Sequence, residues 1–156
     1  MTKITGLQFA GQTITQTPTL TTAAYTANDA VGTLLTFAAV ANRAGGGGVI
    51  TDVVLVDDAG QDAELELWLL DTTFLATDAA AFAPAEASLH TVISIIKSTD
   101  GVWAAAGTPS VNNIQGVVRY DCASSATSIF GHLVTRGTPT YTAVDDLTVR
   151  IKVLQD

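Results

Sequence analysis

The stretch Asp146-Leu147-Thr148-Val149-Arg150-Ile151-Lys152-Val153-Leu154 decides the fold class of this chain. Val149, Ile151 and Val153 fall on one side of an extended backbone, and Thr148, Arg150 and Lys152 fall on the other. A period of two with charge on one side is the pattern of a strand that buries one face and wets the other. The same alternation recurs at Glu64-Leu65-Glu66-Leu67, which turns Leu65, Leu67 and Leu69 inward. Val53 to Val56 and Ile93 to Ile96 are continuous apolar runs, of the kind covered on both faces.

Working outward from these, short apolar runs recur along the whole chain. The segments 13–22, 32–41, 49–57, 64–71, 89–97, 101–106, 111–122, 127–136 and 146–154 read as strands, eight or nine in all. Turn residues separate them at 45–48, 57–62, 99–101, 108–110, 123–126 and 137–139. Many short strands with regular turn signals predict an all-β fold, a two-sheet antiparallel β-sandwich. Long helical patterns are absent. The exception is the Ala-rich stretch 79–89, where a crossover loop carrying one short helix is expected, with Pro84 tolerated at a first helical position. Residues 1–22 read as an N-terminal arm or first strand, and 23–156 as the sandwich domain.

The chain has 156 residues, close to one ordinary domain. Folding at that length buries about 70% of the unfolded surface, so no disulfide or metal staple is required. Hydrophobic residues make up 47% and charged residues 14%, with Thr and Ala where Lys and Glu would ordinarily stand. So little charge does little to repel a neighbouring chain, which suits a subunit of an assembly, and it equally suits the Thr-rich surface of an ordinary β protein. The net charge is −8. The basic residues are few and scattered in sequence: Lys3, Arg43, Lys97, Arg119, Arg136, Arg150 and Lys152. Displacing counterions from nucleic acid requires clustered Lys and Arg, so neither nucleic acid nor an anionic membrane is an expected partner. No basic-then-apolar leader opens the sequence, and no apolar run approaches the ~20 residues of a membrane span.

The residue types that carry chemistry do not converge. Cys122 is the one cysteine, so no intrachain disulfide forms, and a packed, inert thiol is expected. His90 and His132 stand in no metal-ligand spacing. A hairpin at 123–126 would place 120–122 opposite 127–129 and leave His132 several residues from Cys122, too far for a dyad. Asp57, Asp58 and Asp62 surround Gly60 in what reads as a solvated turn, without the spacing or terminal Glu of a Ca²⁺ loop. Glu64 and Glu66 read as the wet face of a strand rather than a hydrolase pair, and Asp145 and Asp146 as a turn opening the last strand. Gly45 to Gly48 reads as a flexible connection, since no Lys-Ser/Thr and helix follow as in a phosphate loop. Trp68, by parity on the Glu66 face, and Trp103, beside a glycine turn, are the candidates for stacking on a sugar. No catalytic, cofactor-binding or metal site is predicted. The alternative class is a carbohydrate-binding β-sandwich module on a phage fibre or secreted protein.

Several blocks occur in a telling order. Ala24-Tyr25-Thr26-Ala27-Asn28-Asp29-Ala30-Val31-Gly32 leads into Leu34-Leu35-Thr36-Phe37, and Val49-Ile50-Thr51-Asp52-Val53-Val54-Leu55-Val56-Asp57 follows the glycines. Leu65-Glu66-Leu67-Trp68-Leu69-Leu70-Asp71 and Asp78-Ala79-Ala80-Ala81-Phe82 come next. Phe130-Gly131-His132-Leu133-Val134-Thr135-Arg136-Gly137-Thr138-Pro139-Thr140-Tyr141 and the C-terminal strand close the chain. Over roughly residues 20 to 156 this resembles the small structural proteins of tailed bacteriophages that decorate or cement the capsid. The resemblance implies a jelly-roll sandwich on the outer capsid surface of the virion. It implies binding to the major capsid protein, commonly as a homotrimer, without catalysis. Residues 1–22 would then reach to a capsid subunit or a sister protomer and add a strand to a sheet edge.

Overall fold

A computed structural model of the chain describes residues 11–156. The first ten residues, part of the expected arm, lie outside the described residues. The strands are β1 (Gly11–Gln16), β2 (Ala30–Phe37), β3 (Gly47–Asp57), β4 (Leu65–Leu70), β5 (Val92–Lys97), β6 (Trp103–Ala105), β7 (Ser110–Asp121), β8 (Ile129–Thr135) and β9 (Leu147–Gln155). Each falls within or against a segment expected from the pattern, with ends shifted by up to six residues. The one α-helix among the described residues, α1 (Glu86–Leu89), lies in the expected crossover and is a single turn.

Two antiparallel sheets face each other. One has the order β1-β9-β3-β7-β6 and the other β2-β8-β4-β5. All connections except β4 to β5 and β6 to β7 pass from one sheet to the other. The 123–126 turn is one of these crossings, so β7 and β8 are not the hairpin that the sequence suggests. A tight turn looks the same in sequence whether it closes a hairpin or changes sheet.

The alternation that announced β9 holds because β9 is interior to its sheet, between β1 and β3. Ile151 lies opposite Ile14 on one side and Val53 on the other, and Val149, Ile151 and Val153 are buried. Leu65, Leu67 and Leu69 of β4 and Leu133 of β8 meet them from the second sheet. Each such side chain contributes about 1.5–3 kcal/mol by leaving water. β3 departs from simple alternation. Ile50 and Val53 are both buried although an odd number of residues apart. A register shift between Ile50 and Asp52 against β9 absorbs the extra residue of β3, and β7 carries an extra residue of its own opposite Thr51. Such a bulge restores the inward parity of Val53, Leu55 and Asp57.

Two expectations change here. Gly47 and Gly48 are not part of a flexible connection but open β3. A Cβ at Gly47 would collide with the Tyr120 carbonyl, and one at Gly48 with the Leu154 carbonyl and the Tyr120 ring. That close approach lets the Tyr120 hydroxyl donate to the Val40 carbonyl at 2.6 Å. The apolar runs are not covered on both faces either. Val54 and Val56 are half-buried on the outer face of the first sheet, and Ile95 is 38% exposed. β-branched residues suit a pleated surface whether or not anything covers it.

Candidate functional site

The two outer faces of the sandwich are the candidate surfaces, and they differ. On the second sheet, Trp68 of β4 and His132 of β8 stand directly opposite each other, facing away from the core. The segment 71–91, between β4 and β5, passes back over them as a strap. It is tied to β2 by bridges from Ala30 to Asp78 and from Asp29 to Ala81, and the Asp78 carboxylate accepts from the Tyr25 hydroxyl (2.7 Å) and the Gly32 amide (2.6 Å). Phe74 and Phe82 of the strap roof the pair. Their ring centroids lie 4.9 and 5.8 Å from the His132 ring, and Phe82 lies 5.1 Å from Trp68, edge to face.

His132 is thereby buried, and its Nε2 lies 3.0 Å from the Phe74 carbonyl, which accepts its proton. Burial lowers its pKa from the ordinary value by disfavouring the charged ring. Glu66, on the same face, accepts from Arg136 at 2.7 Å and from the Trp68 indole at 3.0 Å. The Arg136 hydrogen bond holds the Glu66 carboxyl below its usual range. Arg136 also donates to Asn28. Glu64 is exposed as alternation predicts, but Glu66 is not: Arg136 and the Trp68 indole cover it. Trp68 is roofed by Phe82, and Trp103 packs against the core. The two indoles do not form an exposed stacking platform.

The other chemical candidates disperse. Cys122 is buried, and burial raises its thiol pKa, so it stays protonated. It follows β7 in the first sheet, whereas His132 is on the outer face of the second. In the Asp57 turn, Asp58 and Asp62 are exposed as expected, but Asp57 is fully buried, and its carboxylate accepts from the amides of Ala59, Gln61 and Asp62 at 2.9–3.0 Å. Burial raises its pKa in spite of these donors. Asp146 closes the 142–146 turn in the same way, accepting from the amides of Thr142 and Ala143 and the Thr142 hydroxyl. Its pKa is lowered, because those bonds outweigh burial. Both aspartates are staples for turns at one end of the sandwich. His90 is exposed just beyond α1. Among the described residues no three His, Cys, Asp or Glu are grouped to hold a metal ion, and no helix is long and apolar enough to cross a membrane.

Among the described residues nothing straps the outer face of the first sheet. Its rows, read across β1, β9, β3 and β7, are Thr15-Arg150-Val54-Asn113 and Gly11-Leu154-Val49-Arg119. Lys152 lies between them, paired with Thr13 and Asp52. Arg119, Arg150 and Lys152, scattered in sequence, thus share one open face beside half-buried valines. The only signal for this in sequence is the i, i+2 spacing of Arg150 and Lys152; Arg119 joins them only through the pairing of β3 with both β7 and β9.

No family model matches the chain, and no curated protein does.

Proposed function

We propose that the chain is a non-catalytic virion structural protein of a tailed phage. In this reading it is a decoration or cement subunit that binds, as a homotrimer, to the major capsid protein on the outer capsid surface. The observation that carries the reading is the contrast of outer faces: one sheet crossed by its own strap, the other left open among the described residues with three cations on it. A monomeric protein gains nothing from such a half-apolar open face, whereas a subunit that docks on a lattice needs one. The sandwich itself is read as a jelly roll. With the short β6 set aside, the orders β1-β9-β3-β7 and β2-β8-β4-β5 are those of two interleaved Greek keys. The sparse charge and the sequence resemblance support the same reading.

The open face of β1-β9-β3-β7 is the surface offered to the capsid, and Arg119, Arg150 and Lys152 call for an acidic patch opposite. The test is to mix the purified protein with undecorated capsids. Saturable, symmetric density is the expected result, weakened at least tenfold in affinity by R119E/R150E/K152E. Absence of binding at every ionic strength would overturn the reading.

A further inference from the structure

We propose that the open side of the sandwich, where β5 faces β7, is the acceptor for residues 1–10 of a second copy of this chain, which add there as a strand. The two lateral sides of the sandwich are finished differently. On the β1/β2 side, the strap bridges to Asp29 and Ala30. On the other side, nothing among the described residues pairs with the outer edge of β5, and β6 covers β7 only at Ser110, Val111 and Asn112. The β5 sequence Val92-Ile93-Ser94-Ile95-Ile96-Lys97 has no proline and a single terminal charge. An apolar edge of this kind is ordinarily blunted or covered. β7 is blunted, since its Gly116-Val117 bulges opposite Thr51. The outer edge of β1 is unpaired as well among the described residues, but Gly11-Gln12-Thr13-Ile14-Thr15-Gln16 is polar apart from Ile14, so β5 is the apolar edge left to accept a strand.

Between the two edges runs a groove of about 240 Å³, whose lining includes Ile96, Ile114, Val117 and Val118. It is smaller than the ~300–1,000 Å³ clefts that hold small ligands. Its lining carries Asp52 and Asp100 and no Lys or Arg.

The occupant is identified by chemistry and reach. Met1-Thr2-Lys3-Ile4-Thr5-Gly6-Leu7-Gln8-Phe9-Ala10 has one cation and no acidic residue, in a chain whose net charge is −8. Leu7 and Phe9, two apart, share one face of an extended strand and supply the apolar side chains for the groove, while Lys3 complements its aspartates. This segment leaves from Gly11 on β1, three strands from β7 in the sheet order. That is about 14 Å away at ~4.8 Å per strand, and ten residues reach at most ~33 Å. Reaching its own groove would consume nearly half of the segment in crossing the sandwich. Docking on a neighbour leaves all of it for pairing. A donor on one lateral side and an acceptor on the other make a head-to-tail contact, which forms a ring where its rotation closes and an open filament where it does not; the homotrimer reading takes the ring.

This inference rests on the homotrimer part of the proposed function and not on capsid binding. Light scattering on the full chain is expected to give three times the 16.1 kDa of one chain. Deleting residues 1–10 is expected to reduce it to a single mass with an unchanged far-UV spectrum. L7D/F9D and V117D are expected to do the same, Val117 being 81% exposed and so free of the core. A synthetic peptide of residues 1–10 should bind the shortened protein and slow amide exchange in β5. A monomeric full chain, an oligomer that survives the deletion, or protection elsewhere than β5 would overturn the inference. A ring that ignores capsids would leave it standing and end the capsid reading, and a monomer that binds capsids would do the reverse.

Discussion

Trp68 and His132, opposite each other on β4 and β8, face away from the core and lie under Phe74 and Phe82. Val54 and Arg150, opposite each other on β3 and β9, also face away from the core, and nothing among the described residues lies over them. Both pairs occupy the outward positions of interior strands. The difference comes from the connections. β4 and β5 are neighbours in one sheet, yet 21 residues join them, enough to fold back over the sheet. The connections around β3 and β9 cross between sheets at the ends of the sandwich and leave the face alone. The lesson is that strand pattern decides which residues point outward, while loop length decides whether outward means wet.

The sharpest way to break this contrast is to remove the roof. F74A/F82A is expected to cost about 4 kcal/mol, roughly 2 for each half-buried ring, read as a lower denaturant midpoint. Trp68 fluorescence should shift red as its indole meets water. E66A comes next. It strips Arg136 of its ion pair and the Trp68 indole of its acceptor, for an expected loss of about 1–2 kcal/mol, with E66Q recovering part of it.

Acidification should act on the strapped face alone at first. The His132 pKa is lowered in the folded protein, so between its folded value and the ordinary 6.5 the unfolded chain binds the extra proton. Stability then rises with pH across that window. It should fall as pH drops below 6.5 and fall further as Glu66, also lowered on folding, protonates below its ordinary 4.5, while Asp57, raised on folding, opposes that fall in the window above its ordinary 3.8. Thermal midpoints across pH 4–8 would show this, and H132Q should flatten the upper step. The smallest effect is expected on the open face. R150A or K152A should move stability by no more than about 0.5 kcal/mol, measured by the same denaturation, while weakening capsid binding. A large stability loss there would mean that the face does more than the docking proposed for it.

Much of this could be read in the residues. The all-β class, the placement of nine strands and the crossover bearing one helical turn follow from periodicity and turn chemistry, which are local. Leu65, Leu67 and Leu69, and Val149, Ile151 and Val153, are inward as their alternation requires. What was misread depends on what lies across space. The Asp57 turn looks hydrophilic, and its aspartate is buried because three amides of its own loop converge on it. Glu66 looks like a solvent-facing charge until Arg136, 70 residues away, reaches it. The glycines at 47 and 48 look like slack, and they are tight because Tyr120 passes over them.

The sequence by itself determined the all-β class and where the strands lie, because period, turn residues and composition act within a few residues. Only the tertiary structure decided which sheet each strand joined, which outer face the strap covers and which edge stays open. Those depend on strand partners far apart in the chain, and alternation reports only the side of a strand, never its neighbour.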